Sequence, residues 1–179
     1  MEEHSNLDSK AAPEKTLTSS DGEASAPEAQ SYRIERIVGT DKIEECWDLL
    51  EEHRKELATH QHLMVLNPDI NRYLDLEENG CLLSLAVYKG EEIVGYSVTI
   101  LAYALHYADL TMASNDVLYL RKDLRKGAWG VRLIKETEKY AKERGAKLML
   151  WHGKENTAFC ELMPRLGYRI QDIMFSKEL

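Results

Sequence analysis

A basic turn in the middle of the chain has the residue types of an anion-binding site. An apolar run over residues 117–120 predicts a buried strand, and apolar residues recur at helical spacing from Gly130 to Ala141. The segment between them contains Arg121, Lys122, Arg125, Lys126 and Gly127. A strand that turns abruptly into a helix leaves the first helical N–H groups unpaired. These donors, the helix dipole and nearby basic side chains together favour a phosphate-bearing ligand. We call residues 121–131 the basic turn.

The glycine spacing in the basic turn excludes two common nucleotide-binding motifs. It lacks the Gly-Lys-Ser/Thr ending of a Walker A loop and the G-x-G-x-x-G spacing of the dinucleotide fingerprint. Gly127 and Gly130 carry no Cβ, so a ligand can approach the backbone closely. On this pattern alone, a solvated basic surface whose glycines serve only the geometry of the turn is an equal alternative.

Composition predicts a soluble globular domain that does not bind nucleic acid or membranes. The chain has 179 residues, of which 44% are hydrophobic and 30% charged, and a net charge of −8. Phosphate contacts to nucleic acids need a basic surface, and a membrane span needs an apolar run of about 20 residues. The N-terminus also lacks the pattern of a signal peptide. Because Cys46, Cys81 and Cys160 are scattered and odd in number, we expect free thiols and a cytoplasmic location.

The first 31 residues differ in composition from the rest of the chain. They hold seven acidic residues and two lysines, a net charge of −5, and no aromatic side chain. Such a segment cannot bury enough apolar surface to offset the entropy lost on ordering. We therefore predict a disordered acidic tail over residues 1–31 and one domain over residues 32–179. The domain then carries −3, because −8 minus −5 leaves −3.

The hydrophobic pattern predicts the element order β-α-α-β-β-β-α-β-α-β. Strands are predicted at residues 32–38, 81–88, 93–101, 109–120 and 147–151, with one or two closing strands within 168–177. Helices are predicted from 41 to between 53 and 57, and at 70–79, 130–144 and 157–166. Strands joined by hairpins are antiparallel, whereas a strand–helix–strand crossover is parallel. The sheet should therefore be mixed.

Four local features refine this pattern. Asp41-x-x-Glu44 predicts a capping box at the start of the first helix, and Asn156 is a candidate N-cap of the last one. Gly95 within a strand predicts a bulge or a close approach of backbone. The polar patch Ser114-Asn115-Asp116 interrupts an apolar strand, which predicts a second bulge or a functional site.

Two segments resemble the signatures of the GNAT acyltransferase superfamily. Arg125-x-x-Ala128-x-Gly130 resembles the R/Q-x-x-G/A-x-G/A motif, which binds the pyrophosphate of acetyl-CoA in that family. Asn156-x-x-Phe159-x-x-Leu162-x-x-x-Leu166-Gly167-Tyr168 is similar to the second half-signature, an Asn-led helix that ends in Leu-Gly-Phe/Tyr. The resemblance covers residues 32–178, and the body is similar to the GNAT proteins of bacteriophages and prophages. It implies an α/β (α+β) fold with a mixed central sheet of six to seven strands, one pair of them splayed, flanked by about four helices.

The resemblance also implies acetyl-CoA as co-substrate, with no metal. The backbone of Leu118 and Leu120 would bind the pantetheine arm like an extra strand. The amides from Arg125 to Val131 would hold the pyrophosphate with the Arg125 and Lys126 side chains nearby, and Asn156 would lie on the pantetheine or thioester side. The predicted cofactor-binding residues are Leu118, Leu120, Arg125, Lys126, Gly127, Ala128, Gly130, Val131 and Asn156.

The implied reaction is direct attack of an amine on the thioester, for which a base must take the proton of the amine. In GNAT folds the acyl group lies between the splayed strands, which here places Asp116 and His152 near the chemistry. Each has an alternative role: Asp116 as a carboxylate that satisfies a bulged backbone, and His152 as a residue that closes a strand end. The tyrosine that protonates the leaving thiolate in many members is replaced by Met163, which has no proton to donate.

The sequence does not identify the amine that accepts the acetyl group. In this fold it is selected by the first helices and the following loop, here residues 57–79, where we single out His60, His62 and Tyr73. His60-x-His62 has no nearby Cys or acidic residue, so a loop or an acceptor pocket is favoured over a metal site. We expect an amine on a small molecule or a protein, and a homodimer is left open. Met163 favours the alternative, a CoA-binding or interaction module with little or no catalysis, whereas the charge of −3 disfavours a factor that modifies nucleic acid.

Overall fold

The chain forms an open sheet of five strands with helices on both faces, seen in a computed structural model that describes residues 31–179. The strands are β1 (Tyr32–Ile37), β2 (Leu82–Lys89), β3 (Glu92–Ala104), β4 (Tyr107–Leu120) and β5 (Leu148–Leu150). The helices are α1 (Gly39–Lys42), α2 (Trp47–Leu57), α3 (Ile70–Glu78), α4 (Trp129–Glu143) and α5 (Ala158–Leu162), with 3-10 helices at Lys122–Leu124 and Met163–Leu166. The predicted disordered tail lies outside the described residues, apart from Ser31.

The sheet is mixed, as predicted. Its strands lie in the order β1-β2-β3-β4-β5, with antiparallel pairing from β1 to β4 and parallel pairing of β4 with β5 across the α4 crossover. A strand that is covered on both faces is nearly continuously apolar in sequence. The strand β2 is of this kind, because residues 82–88 are all buried. One face packs against α4 through Leu133 and Ala141, and the other packs against α2 and α3 through Leu49 and Leu76. None of the helices in residues 31–179 is long and apolar enough to cross a membrane.

The predicted first helix is interrupted, and its capping box does not form. The helix α1 ends at Lys42, and α2 begins at Trp47 after a turn. The carboxylate of Glu77, on α3, takes the place of Glu44: it accepts hydrogen bonds from the Gly39 N–H and the Thr40 hydroxyl, both at 2.5 Å. The start of α1 is therefore capped by a distant helix, which a local motif could not show.

The sheet has five strands rather than six or seven, because the predicted closing strands do not form. Tyr168 is held by the indole of Trp151, which donates to its hydroxyl at 2.8 Å, and by a hydrogen bond to Glu138. The chain from there to residue 179 has no strand. The neighbouring strand β5 has only three residues, so its edge offers few backbone groups to a further strand.

Both predicted irregularities in the strands are present. Val94 has no partner on β2, because Val87 pairs with Gly95 and the next residue of β2 pairs with Ile93. A Cβ on Gly95 would lie 2.5 Å from a methyl carbon of Leu120, so this glycine permits close packing of β3 and β4. The second irregularity lies in β4 at Asp116 and belongs to the candidate site.

Candidate active site

The start of α4 presents a row of free backbone N–H groups. Among the described residues, the amides of Lys126, Ala128, Trp129, Gly130 and Val131 donate to no protein acceptor. The first bond of the helix is from the Arg132 N–H to the Ala128 carbonyl, at 2.9 Å. Converging N–H groups at the positive end of a 15-residue helix form an anion-binding surface.

Two of the amides that were predicted to hold the pyrophosphate donate hydrogen bonds within the protein. The Arg125 and Gly127 N–H groups donate to the carbonyls of Lys122 and Leu124, each at 3.3 Å. These bonds close the 3-10 turn that joins β4 to α4. Both amides are therefore used by the turn itself, unlike those of Lys126 and residues 128–131.

The side chain of Arg125 is bound to α2 and to the end of β4, whereas the sequence resemblance placed it near the pyrophosphate. Its terminal nitrogens bind the carboxylate of Glu56, on α2, at 2.5 and 2.9 Å. Its Nε donates to the Leu120 carbonyl at 2.6 Å, which occupies one of the groups predicted to contact pantetheine. Arg125 lowers the pKa of Glu56, chiefly by this hydrogen bonding. Lys126 is exposed, and Arg132 lies 4.8 Å from the ring centroid of Trp129, so these two cations flank the free amides.

A slot opens beside the basic turn where β4 and β5 part. Their pairing covers only three positions and ends at Ser114 with Leu150, whereas β4 continues to Leu120. Beyond that point β4 has no strand partner on this side among residues 31–179. Leu118 lies on this unpaired stretch, where its backbone can accept an extended ligand.

Asp116 and His152 lie at the head of the slot, on β4 and just after β5. Asp116 is the extra residue of a bulge, since Thr99 pairs with Asn115 and the preceding residue of β3 pairs with Val117. The side chains of Asp116 and His152 are both exposed. The charge of Asp116 also reaches Tyr73, on α3, whose pKa is raised by burial and then by this carboxylate. The bulge thus places an exposed carboxylate at the level where β4 and β5 part.

Sequence reasoning did not predict a cluster of polar and aromatic side chains that joins α2 to β3 and β4. His53 Nδ1 lies 2.7 Å from the Tyr96 hydroxyl, and the imidazole stacks on Tyr119 with ring centroids 4.8 Å apart. The Tyr119 hydroxyl donates to Glu56 at 3.1 Å. Burial lowers the pKa of His53 to about 4. Leu49, His53 and Glu56 recur at helical spacing, so the sequence contained a signal for a shared face.

The segment between α2 and α3 contacts two other parts of the chain. His62 Nε2 lies 3.1 Å from the carboxylate of Glu178, and His60 and His62 have ring centroids 6.3 Å apart. Lys154, after β5, donates to the Thr59 hydroxyl at 3.2 Å. Within residues 31–179, no three His, Cys, Asp or Glu side chains lie together in a group that could hold a metal ion.

The second signature segment differs from prediction at its start. Thr157, not Asn156, is the N-cap residue of α5, and Asn156 has a left-handed backbone with φ of 59°. Asn tolerates this conformation, which tightens the turn before the helix. Asn156 is exposed in the loop between β5 and α5, so its side chain is free to contact a ligand there. Met163 is buried at the end of the helix and presents no proton donor.

Family comparison identifies the class of protein. Residues 43–168 match the model of the Acetyltransferase (GNAT) family, and the chain belongs to this family. The general reaction of the family is transfer of an acetyl group from acetyl-CoA to an amine. No curated protein sequence is similar enough to count as a match.

Solved structures share the fold but differ in acceptor. An aminoglycoside acetyltransferase from an uncultured soil metagenomic sample is 17% identical, with a TM-score of 0.66 over 83% of this chain and 99% of that one. Ribosomal-protein-alanine N-acetyltransferase from Brucella melitensis biovar Abortus 2308 is 14% identical, with a TM-score of 0.62 and coverages of 83% and 99%. Glucosamine-6-phosphate N-acetyltransferase from Arabidopsis thaliana is 12% identical, with the same TM-score and coverages. At these identities the similarity establishes the fold alone.

Proposed function

We propose that this chain transfers an acetyl group from acetyl-CoA to a primary amine by direct attack of the amine on the thioester. The observation that carries the proposal is the row of free amides at Lys126 and residues 128–131, which adjoins the unpaired stretch of β4. The amides accommodate a diphosphate, and the free strand edge accommodates the extended, amide-containing arm attached to it. The thioester then lies at the head of the slot, between Asp116 and His152.

The positions of the basic and polar groups assign roles in binding. The amides supply most of the contacts to the diphosphate, and the side chains of Lys126 and Arg132 supply positive charge. Arg125 acts indirectly, because its guanidinium is bound to Glu56 and the Leu120 carbonyl. Leu118 supplies backbone hydrogen bonds to the pantetheine arm.

The reaction forms an N–C bond and breaks the C–S bond of the thioester. The attacking amine must be neutral, so Asp116 or His152 takes its proton directly or through water. Met163 stands where many family members have a tyrosine, so the leaving thiolate takes its proton from solvent. Effective catalysis then rests mainly on placing amine and thioester together.

The acceptor carries an amine on a small molecule or a protein and enters past residues 57–79. Three solved relatives act, by their names, on aminoglycosides, a ribosomal-protein alanine and a sugar phosphate, so the fold leaves the acceptor open. The half-buried Tyr73 and His60 and the exposed His62 border this entrance. A phage origin, a cytoplasmic location and a homodimer remain predictions from the sequence.

Release of free thiol from acetyl-CoA against a panel of amines tests the proposal. The panel contains polyamines, aminoglycosides, amino sugars and lysine-containing peptides, and lysate labelled with isotopic acetyl-CoA identifies acceptors outside it by mass spectrometry. Amine-dependent thiol release supports the proposal. CoA binding without transfer to any amine or lysate component supports the alternative, a CoA-binding module, which the buried Met163 favours.

A further inference from the structure

The side chain of Asn115 lies at the point where β4 and β5 part. Asn115 is buried, with 4% of its surface exposed, and it directly precedes the bulged residue Asp116. The last paired position of the two strands is Ser114 with Leu150. Asn115 is therefore the first residue of β4 whose backbone is no longer paired with β5.

The side-chain amide of Asn115 takes the place of the backbone hydrogen bonds that would continue the pairing of β4 with β5. Its Nδ2 donates to the His152 carbonyl at 3.2 Å, and its Oδ1 accepts from the His152 N–H at 2.5 Å. One side chain thus satisfies both backbone groups of His152. In a regular ladder the two backbones would lie about 4.8 Å apart. A side-chain amide inserted between them holds them further apart while both the amide of Asn115 and the backbone of His152 stay hydrogen-bonded.

We propose that Asn115 is a positioning residue that sets the width of the slot and fixes the backbone of His152 beside it. The inference rests on the proposed function, because the slot is where the thioester would lie. Asn115 itself faces the backbone of His152, so it acts through that residue and not on the substrate. The adjacent bulge bends β4 at the same level, and the two features together open the sheet at one point.

Two substitutions separate the hydrogen bonds of Asn115 from its bulk. Asn115→Leu keeps a similar volume and removes both bonds, whereas Asn115→Gln keeps the amide on a side chain longer by one methylene. Displacement of a reacting group by about 1 Å can cost roughly a hundredfold in rate. We expect Asn115→Leu to lower kcat by about 10- to 100-fold and to leave the Kd for CoA within about threefold, since the basic turn is unchanged. Asn115→Gln should restore part of the lost rate.

Thr99→Val is the matched control. Thr99 pairs with Asn115 across β3 and β4, is fully buried, and its hydroxyl has no hydrogen-bond partner among the described residues. The substitution keeps the shape of the side chain and removes only a hydroxyl that has no partner, so kcat and the Kd for CoA should both stay within about twofold of wild type.

Amide hydrogen exchange at His152 and calorimetric titration with CoA complete the test. The His152 amide should be protected in wild type, Thr99→Val and Asn115→Gln, and exchange at least tenfold faster in Asn115→Leu. Unchanged His152 protection in Asn115→Leu, or a kcat within threefold of wild type, overturns the inference. If the wild type binds CoA and transfers no acetyl group, the proposed function fails, and His152 exchange then decides by itself whether Asn115 holds the strands apart.

Discussion

The carboxylate of Glu56 on α2 binds both terminal nitrogens of Arg125 in the basic turn, at 2.5 and 2.9 Å. The same carboxylate accepts a hydrogen bond from Tyr119, and Arg125 Nε donates to the Leu120 carbonyl. One carboxylate therefore joins α2 to the turn proposed to bind the cofactor. These contacts tie the signature arginine to α2 and to the end of β4.

A double-mutant cycle measures this link. Removal of Glu56 and Arg125 by alanine, singly and together, should give a coupling free energy of about 1 kcal/mol, because the pair is bidentate and partly shielded from water. The control pair Glu51–Lys55, 3.6 Å apart with the lysine 68% exposed, should couple by about 0.3 kcal/mol. Chemical denaturation of the variants measures both values. Equal coupling in the two pairs would contradict a structural role for Arg125.

Side-chain bulk at Gly130 should weaken CoA binding without unfolding the protein. A Cβ built at Gly130 has its nearest neighbour at 3.9 Å, a methyl carbon of Leu120, so Gly130→Val introduces its Cβ without a clash. The branched side chain would stand among the free amides, and we expect at least a tenfold rise in the Kd for CoA, or about 1.4 kcal/mol. Lys135→Val, on the exposed face of the same helix, is the control and should leave the Kd unchanged. Titration calorimetry and thermal denaturation separate binding from stability.

Replacement of Asp116 and His152 should identify the base. The residue that takes the proton should lose about 10²- to 10⁴-fold in kcat when replaced by asparagine, with the Kd for CoA unchanged. Rate measurements across pH should also show that the acidic limb of the profile, where a base is lost by protonation, is altered in that variant only. If both variants keep the wild-type kcat, neither side chain takes the proton, and solvent does.

Stability should depend on pH through His53. Burial lowers its pKa to about 4, from 6.5 in the exposed side chain, so between these values the unfolded chain binds more protons than the folded one. The contribution of His53 is thus complete above about pH 7.5 and falls as the pH drops, by about 2 kcal/mol from pH 7.5 to pH 5. Denaturant titrations at both pH values measure this loss.

Two variants isolate the histidine from the other titrating groups. His53→Phe keeps an aromatic ring on Tyr119 and should lose less stability than wild type on acidification, by about 2 kcal/mol. Tyr96→Phe removes the hydroxyl partner but retains the histidine, so it should keep most of the wild-type pH dependence. The account of His53 fails if the phenylalanine variant and wild type lose equal stability between the two pH values.

Local pattern was enough to predict the elements that flank the site. The apolar runs of β2 to β5, the glycine-terminated α4 and the bulge in the patch at residues 114–116 follow from side-chain periodicity and backbone chemistry. Asp69 caps α3 by accepting from the Arg72 N–H at 3.1 Å, directly before the helix predicted at residues 70–79. Each of these features depends on residues close together in the chain.

The features that sequence reasoning missed depend on contacts between distant segments. Glu77 caps α1 from 38 residues away, and Glu56 binds Arg125 across 69 residues. Nothing near Arg125 in the sequence indicates that a helix carboxylate competes with a phosphate for its guanidinium. The bidentate contact of Asn115 with His152 likewise spans 37 residues, so the sequence showed a polar patch but not its function.

Mapping of backbone amide shifts during titration with CoA tests the central claim most directly. The free amides of Lys126, Ala128, Trp129, Gly130 and Val131 should shift together and saturate with a single Kd, accompanied by Leu118 on the unpaired stretch of β4. The amides of Arg125 and Gly127, which are bound within the turn, should shift less. Absence of saturable shifts at residues 128–131, or a response centred elsewhere in the sheet, would contradict the account.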